Sequence, residues 1–306
     1  MNVVDPIPPS VGRRRFLASC AGAGLAPLAA TAAVAAPTGS GEAVDPGTGV
    51  LVDLTRCIGC RSCENACRVK HAQPPLAPTS RGFARGEDRL SFTSWTYVAE
   101  RKSTDAAGRE RIVTVKRQCM HCLDPACVSV CPVAALRRTT RGAVVYEAGR
   151  CIGCRYCVFA CPFGVPAYQW DSGLAPEVGK CDFCDDRLAG GMAPACVAAC
   201  PTGALRTGKR ADLVREARER REMDPRRYTH LYGDREVGGT GWLYLSDAPP
   251  EELGFPTGLP EQPLPSLTWK ALQKVPFVVV GLGLLLAFLR RRMVLKAARG
   301  AEAGHA

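Results

Sequence analysis

The sequence has few of the residues that carry out acid–base or nucleophilic catalysis. It contains only four histidines among 306 residues, and each stands alone: His71, His121, His230 and His305. We find no nucleophile beside a base and no pattern for a metal with an open coordination position. The sequence therefore predicts a chain without a catalytic site of its own.

The sequence also lacks a recognised nucleic-acid-binding motif, although its formal net charge is +11. No predicted helix carries a basic stripe that could follow a phosphate backbone. We therefore expect no nucleic acid among its partners.

Cysteine, in contrast, is abundant, with 17 residues. Cysteine-rich chains are usually small secreted disulfide scaffolds, and this chain is too long for that class. Residues 151–162 read CIGCRYCVFACP, which is the C-x2-C-x2-C-x3-C-P spacing of bacterial ferredoxins. The first three cysteines of such a motif hold one cluster, and Cys161 is expected to face a neighbouring cluster.

Sixteen of the cysteines form four quartets related to this motif. The second quartet has a longer gap before its third cysteine, and the fourth has eleven residues in its middle gap. The quartets are Cys57, Cys60, Cys63 and Cys67; Cys119, Cys122, Cys127 and Cys131; Cys151, Cys154, Cys157 and Cys161; and Cys181, Cys184, Cys196 and Cys200. The remaining Cys20 lies in a predicted export signal.

The second and third quartets are joined by a predicted hairpin, so residues 119–174 make one two-cluster unit. The first and fourth quartets then pair in an outer unit, residues 50–118 and 175–210, into which the other is inserted. Similar hexapeptides at 131–136 and 200–205 favour an internal duplication. The predicted fold is α+β: two bacterial-ferredoxin-like two-cluster units, one inserted in the other, plus one C-terminal transmembrane helix.

Exchange of the fourth cysteine between paired quartets predicts four 4Fe–4S clusters, whose iron is held by thiolates alone. The predicted ligands are Cys57, Cys60, Cys63 and Cys200 (site 1); Cys67, Cys181, Cys184 and Cys196 (site 2); Cys119, Cys122, Cys127 and Cys161 (site 3); and Cys131, Cys151, Cys154 and Cys157 (site 4). Zinc at the fourth quartet, or disulfides, are the alternatives.

Several neighbours of these cysteines have two interpretations. His121 donates a hydrogen bond to a cluster sulfur, or it is a surface residue. Arg155 and Lys180 stabilise reduced clusters by their charge, or they are solvated. The aromatic side chains Tyr156, Phe159 and Phe163 are interpreted as packing around clusters rather than as electron relays.

Residues 1–36 resemble a twin-arginine signal peptide, with Arg13-Arg14-Arg15-Phe16-Leu17 before an uncharged run that ends in small residues. An ordinary secretory signal is the alternative. After a linker we expect a strand at 50–54, a surface loop at 68–93 and a hairpin between 94 and 117. A charged helix at 211–222 and a strand at 242–245 follow within a C-terminal extension, residues 211–267.

Residues 275–289 carry no charge and would span ~22 Å as a helix, against about 30 Å of membrane hydrocarbon. With flanking residues, a transmembrane helix over 268–292 is predicted, and a buried core helix is the alternative. Five basic residues follow this segment and two lysines precede it. The positive-inside rule then predicts a single-pass protein on the periplasmic face of the bacterial inner membrane, with a cytoplasmic C-terminus.

Four quartets in this order resemble the four-cluster ferredoxin subunits of membrane-bound oxidoreductases. Within that family, residues 118–136, 151–166 and 230–240 are most similar to the iron–sulfur subunit of hydrogenase-2 type nickel–iron hydrogenases. That subunit also has a twin-arginine signal and one C-terminal membrane helix. The family pairs its quartets first with fourth and second with third, in agreement with the ligands predicted above.

The resemblance implies an electron-transfer subunit of an oxidoreductase complex. Hydrogen is oxidised by separate hydrogenase catalytic and small subunits, electrons pass along the four clusters, and a multispanning membrane partner reduces quinone. One alternative is the equivalent β subunit of a respiratory formate dehydrogenase or another molybdenum oxidoreductase. The other is an exported zinc or disulfide protein that binds a partner without redox chemistry.

Overall fold

A computed structural model describes residues 47–75, 89–104, 108–173 and 176–303. The predicted signal peptide, with Cys20, lies outside the described residues. The strands are β1 (Thr48–Asp53), β2 (Thr96–Thr104), β3 (Glu110–Gln118), β4 (Leu136–Arg138), β5 (Val144–Tyr146), β6 (Ala167–Tyr168), β7 (Val178–Gly179), β8 (Leu205–Lys209), β9 (His230–Tyr232) and β10 (Trp242–Ser246). The helices are α1 (Ser62–Lys70), α2 (Ala126–Ser129), α3 (Tyr156–Ala160), α4 (Asp185–Ala189), α5 (Ala195–Ala198), α6 (Arg210–Met223), α7 (Leu264–Leu272) and α8 (Val275–Ala303).

A four-stranded sheet in the order β8-β1-β10-β9 connects distant parts of the chain. β1 runs antiparallel to β8 and parallel to β10, so that Val50 lies opposite Thr207 on one side and Trp242 on the other. The strands predicted at 50–54 and 242–245 are thus confirmed. Because β1 precedes the first quartet and β8 follows the fourth, this pairing brings those two quartets to the same end of the sheet.

Helix α6 covers one face of this sheet, as its sequence predicts. Leu213, Val214 and Ala217 share one side of the helix and are buried against Leu51 and Leu243 of the sheet. The Arg and Glu side chains on the other side form ion pairs within and next to the helix.

Asp53 ends β1 directly before the first quartet and is almost fully buried. Its Oδ2 accepts hydrogen bonds from the Arg220 guanidinium at 3.1 Å and from the Tyr228 hydroxyl at 3.0 Å. Its Oδ1 accepts one from the Thr55 backbone N–H at 3.1 Å. A buried carboxylate needs such partners, and here they fix the turn that leads into Cys57.

The predicted hairpin is confirmed as β2 and β3, which pair from Thr96 opposite Gln118 to Thr104 opposite Glu110. Its base is attached to the central sheet through Tyr244 of β10. The Gln118 side-chain amide donates to the Tyr244 hydroxyl at 2.6 Å, and that hydroxyl donates to the Lys116 carbonyl at 2.9 Å.

The predicted surface loop at 68–93 is wrong in its first residues. Helix α1 continues to Lys70, and Arg68 is buried. The Arg68 guanidinium donates to the Pro74 carbonyl at 2.8 Å and to the Ser94 hydroxyl at 2.9 Å. Arg68 stands where the later quartets have proline, so the helix is not interrupted, and its long side chain holds the following segment.

Helices α7 and α8 carry the predicted membrane segment. The most apolar 18-residue stretch within residues 264–293 has a mean hydropathy of 2.1, and the rest of the described protein buries none of it. The buried-core-helix alternative is therefore wrong. By length and composition this segment is able to cross a membrane. α7 contacts α2, which carries Cys127.

Candidate iron–sulfur sites

The loop between the first two cysteines has the same backbone turn in all four quartets. The residue before the second cysteine has a positive φ each time: Gly59 at 69°, His121 at 48°, Gly153 at 70° and Phe183 at 64°. This turn directs backbone N–H groups toward the preceding sulfur. The N–H of Gly153 lies 3.4 Å from Cys151 Sγ, and that of Phe183 lies 3.4 Å from Cys181 Sγ.

The structure brings together the cysteines that the sequence assigns to each site. Separate cavities are lined by all four cysteines of site 1, of site 2 and of site 4. At site 3, the thiols of Cys119, Cys127 and Cys161 are close enough to act electrostatically on Cys122. In every site the fourth cysteine comes from the paired quartet. That each of these groups of cysteines binds its own cluster stays a prediction.

The residues around the sites suit a 4Fe–4S cluster better than a disulfide. All sixteen cysteines are free thiols, and four soft sulfur donors around one space are what such a cluster needs. Further N–H groups face sulfur, such as that of Ala135, 3.2 Å from Cys131 Sγ. Trp242 is almost fully buried, it lines site 2, and its indole N–H has no hydrogen-bond partner among the described residues. A cluster sulfide would provide one.

Burial makes several of these cysteines weaker acids when no iron is bound. It raises the pKa of Cys67 and of Cys127 to about 12, and that of Cys161 to about 11. Metal binds the thiolate, so iron must displace these protons. Cluster insertion therefore releases protons, and higher pH favours it.

Two buried lysines provide positive charge inside the protein. Lys180 is 3% exposed and donates to the backbone carbonyls of Cys181, at 2.7 Å, and Val144. Its interpretation as a solvated residue is wrong. Lys116 is 2% exposed and lines both site 1 and site 2. Burial lowers the pKa of Lys116, but the thiolates of nearby cysteines outweigh this effect and raise it above its usual range.

His121 is fully buried, so its interpretation as a surface residue is wrong. Its Nδ1 accepts a hydrogen bond from the Val144 N–H at 2.9 Å, which assigns the ring proton to Nε2. Burial, with Lys180 and Lys116 nearby, holds the pKa of His121 well below its usual range, so the ring is neutral. Nε2 has no hydrogen-bond partner among the described residues. Donation to a cluster sulfur stays a prediction.

Contacts between neighbouring sites give them a linear order. Lys116 lies between sites 1 and 2. The His121 ring of site 3 stacks on the Phe183 ring of site 2, with centroids 4.6 Å apart and planes 16° apart. Sites 3 and 4 meet where Cys127 packs with Cys131 and Cys157. The order along the protein is therefore site 1, site 2, site 3, site 4.

Site 4 reaches the protein surface. Cys154 is exposed, and so are Ile152, Tyr156 and Phe159, the last at 82%. The prediction that Tyr156 and Phe159 pack around clusters is therefore wrong. The short helix α3 turns Cys157 inward and so turns these two outward. Phe163 is buried, as predicted.

Arg155 also belongs to the surroundings of site 4. It lines the cavity, and its guanidinium lies over the rings of Tyr168 and Trp170, 4.6 and 4.4 Å from their centroids. This contact fixes the side chain in place. A role in stabilising the reduced cluster stays a prediction.

Three groups near the sites were missed by sequence reasoning. Lys116 and Trp242 come from strands outside the quartets, and only the hairpin and sheet topology bring them to the cysteines. His71, taken as isolated, lies with its Nε2 3.4 Å from Asp182 Oδ1 beside Cys184 of site 2. Of these residues, only Asp182 could have been found from the sequence, because it stands between the two predicted ligands Cys181 and Cys184.

Two family models, both described as a 4Fe–4S dicluster domain, match this chain at residues 56–135 and 111–210. Two dicluster domains hold four 4Fe–4S clusters, which confirms the predicted cofactors and contradicts the zinc alternative. The matches overlap and follow one another along the chain, so the insertion of one unit in the other stays a prediction.

Similar proteins include a hydrogenase-2 operon protein and a formate dehydrogenase iron–sulfur subunit. A protein of Nitratidesulfovibrio vulgaris is 44% identical over 274 residues, covering 87% of this chain and 73% of its own length. The hydrogenase-2 operon protein HybA of Escherichia coli O157:H7 is 33% identical over 278 residues, 78% of this chain and 84% of HybA. The formate dehydrogenase-O iron–sulfur subunit of Escherichia coli K12 is 36% identical over 246 residues, 76% of this chain and 77% of that subunit. With sixteen grouped thiols and two dicluster domains, this chain belongs to the family of 4Fe–4S iron–sulfur subunits that contains HybA and the formate dehydrogenase iron–sulfur subunits.

Proposed function

We propose that this chain conducts electrons through four 4Fe–4S clusters bound at sites 1, 2, 3 and 4, in that order. The linear arrangement of the sites carries this proposal. Each step joins sites through a shared or stacked group: Lys116 between sites 1 and 2, the His121–Phe183 pair between sites 2 and 3, and Cys127 with Cys131 between sites 3 and 4.

The cysteines that line each site are the proposed ligands of its cluster. Backbone N–H groups and buried lysines would stabilise the negative charge that each cluster gains when it accepts one electron. The bound clusters supply the redox chemistry. The protein residues position them, exclude water and provide charge and hydrogen bonds.

The proposed donor is a periplasmic nickel–iron hydrogenase, with its own catalytic and small subunits. Similarity to HybA and the predicted twin-arginine signal of residues 1–36 support this assignment. The similarity to a formate dehydrogenase subunit is of the same order and favours a second candidate, in which a molybdenum subunit delivers electrons from formate.

The proposed acceptor is a multispanning membrane subunit that reduces quinone. Helices α7 and α8 would anchor the chain beside it, with the cysteine sites on the periplasmic side and the basic C-terminus in the cytoplasm. Because α7 contacts α2 of the second quartet, sites 3 and 4 would lie toward the membrane partner and site 1 toward the catalytic subunits.

Purification of the intact membrane complex through a tag on this chain would test the donor. Companion subunits are identified by mass spectrometry, and cluster bleaching near 400 nm is followed after addition of hydrogen or formate. We expect nickel–iron hydrogenase subunits and bleaching by hydrogen. A molybdenum subunit together with bleaching by formate would contradict the hydrogenase as donor and support the formate dehydrogenase candidate.

Two variants of the same complex would test the proposed path of electrons through the four sites. Cys184→Ser, within site 2, should leave the catalytic subunits active with an artificial dye while abolishing electron delivery to quinone. Lys102→Gln, at a position of strand β2 whose side chain is 79% exposed, is the control outside the quartets and should retain quinone reduction. Quinone reduction at the normal rate by Cys184→Ser would contradict the proposed path.

A further inference from the structure

Lys116 is a buried cation whose described partners are all uncharged. Its Nζ donates hydrogen bonds to the Thr96 hydroxyl and to the Gln118 side-chain carbonyl, each at 2.8 Å. The ammonium also lies 4.6 Å from the centroid of the Trp242 ring. Among the described residues, no carboxylate forms an ion pair with it.

Burying an ammonium group without an opposite charge is costly, because the group loses its hydration. The charges that face Lys116 are mainly sulfur atoms of the proposed sites. The strongest belong to Cys196 of site 2 and Cys63 of site 1, and the Tyr244 hydroxyl and Cys181 of site 2 follow. Lys116 lines both cavities, so a single positive charge faces two cluster positions.

The surrounding residues hold this charge in place rather than neutralise it. Thr96 and Gln118 fix the amine, and the Tyr244 hydroxyl fixes the Gln118 amide at 2.6 Å. The hairpin and the central sheet therefore both contribute to one rigid pocket for the ammonium. A solvated lysine would need no such arrangement.

We propose that Lys116 is a positioning residue for electron transfer, the shared counter-cation of sites 1 and 2, and that it raises the reduction potentials of both clusters. The clusters held by the cysteines of sites 1 and 2 would carry one electron at a time, and the Lys116 ammonium would keep its proton throughout. The added electron makes each cluster more negative, so a fixed nearby cation favours the reduced form. Lys116 does not line the cavity of site 4, and at site 3 its charge acts on the neighbouring His121. The effect should therefore be largest at sites 1 and 2 and smallest at site 4.

Lys116→Gln is the direct test, because glutamine keeps a hydrogen-bonding side chain and removes the charge. Lys116→Met is the second variant, since its apolar chain can lie on the Trp242 ring. Lys102→Gln is the matched control: Lys102 lies on the neighbouring strand β2, and its side chain is 79% exposed. The purified complexes are titrated anaerobically, and each cluster midpoint is followed by electron paramagnetic resonance.

Since this role rests on the proposed ligands of sites 1 and 2, those ligands are checked first. Cys60→Ser and Cys184→Ser should each remove or change one cluster signal, which assigns the midpoints of sites 1 and 2. If both variants instead change the same signal, or if either changes several signals at once, the ligand assignment fails whatever Lys116 does.

We expect Lys116→Gln and Lys116→Met to keep the iron content of the unsubstituted complex. The midpoints of sites 1 and 2 should both fall by at least a tenfold change in the reduction equilibrium, about 59 mV for one electron. The midpoint of site 3 should shift less than those of sites 1 and 2, and the midpoint of site 4 and all midpoints of Lys102→Gln should stay unchanged. Unchanged midpoints at full iron content, a shift at only one of the two sites, or an equal shift at all four would overturn the inference. Loss of iron from both lysine variants would also overturn it, in favour of a structural role.

Discussion

At Phe183 we expect a glycine substitution to leave the protein more stable than an alanine substitution, the reverse of the usual order. The side chain is 1% exposed, stacks on His121 and lies 5.7 Å from the Trp242 ring centroid. Truncation of such a phenylalanine costs about 3–5 kcal/mol of the free energy of unfolding. The φ of +64° adds a second contribution, because a residue with a Cβ pays about 1–2 kcal/mol in the left-handed region.

Phe183→Ala loses the ring and keeps the unfavourable backbone, whereas Phe183→Gly loses the ring and relieves the backbone. The glycine variant loses about 0.5–1 kcal/mol of this advantage, because glycine gives up more conformational freedom than alanine on folding. The glycine variant should therefore be the more stable of the two, by about 0.5–1 kcal/mol. For a domain of this size, that corresponds to about 2 °C in the melting temperature.

The assay is thermal loss of cluster absorbance under anaerobic conditions, with the same heating rate for every variant. Phe163 is the matched control, since it is also buried and is not among the residues with positive φ. There, Phe163→Ala should be more stable than Phe163→Gly. An alanine variant at 183 that melts at or above the glycine variant would refute the argument from backbone strain.

Three further predictions follow from other contacts. Gly59→Ala should lower the melting temperature, because its φ is +69° and a Cβ would lie 2.8 Å from the Thr114 methyl group; Gly149→Ala, with open space around it, should not. Arg220→Met should cost about 2 kcal/mol in the free energy of unfolding, because it removes a charged hydrogen bond to the buried Asp53; unchanged chemical denaturation would contradict this. Reconstitution of apoprotein with iron and sulfide should release protons and proceed further at pH 8 than at pH 6.5, because the buried thiols must ionise; a pH indicator in unbuffered solution measures the release.

The sequence predicts well which cysteines lie close together, because the spacing within each quartet is a local property. A C-x2-C loop and a short helix determine where three sulfur atoms point, and the paired quartet supplies the fourth. The strand before Cys57, the hairpin β2–β3 and helix α6 were also predictable from their own residues. Each depends on neighbouring residues in the chain rather than on distant contacts.

The groups that surround the sites depend on tertiary contacts, and sequence reasoning missed or misjudged them. Lys116 reaches two sites only because β2–β3 docks on β10. His121 stands where the first and third quartets have glycine, but the burial of its ring depends on Phe183, 62 residues later in the chain. Tyr156 and Phe159 were misjudged because a one-turn helix with an inward cysteine presents its other residues to solvent.

The sharing of ligands between the first and fourth quartets is tested most directly by comparing Cys60→Ser with Cys200→Ser. Each variant complex is reduced anaerobically, and its cluster signals are recorded by electron paramagnetic resonance against the unsubstituted complex. Both substitutions should change the same cluster, that of site 1, and leave the other three signals in place. If Cys200→Ser instead changes the signal that Cys184→Ser changes, the fourth quartet binds its own cluster and the proposed arrangement is wrong.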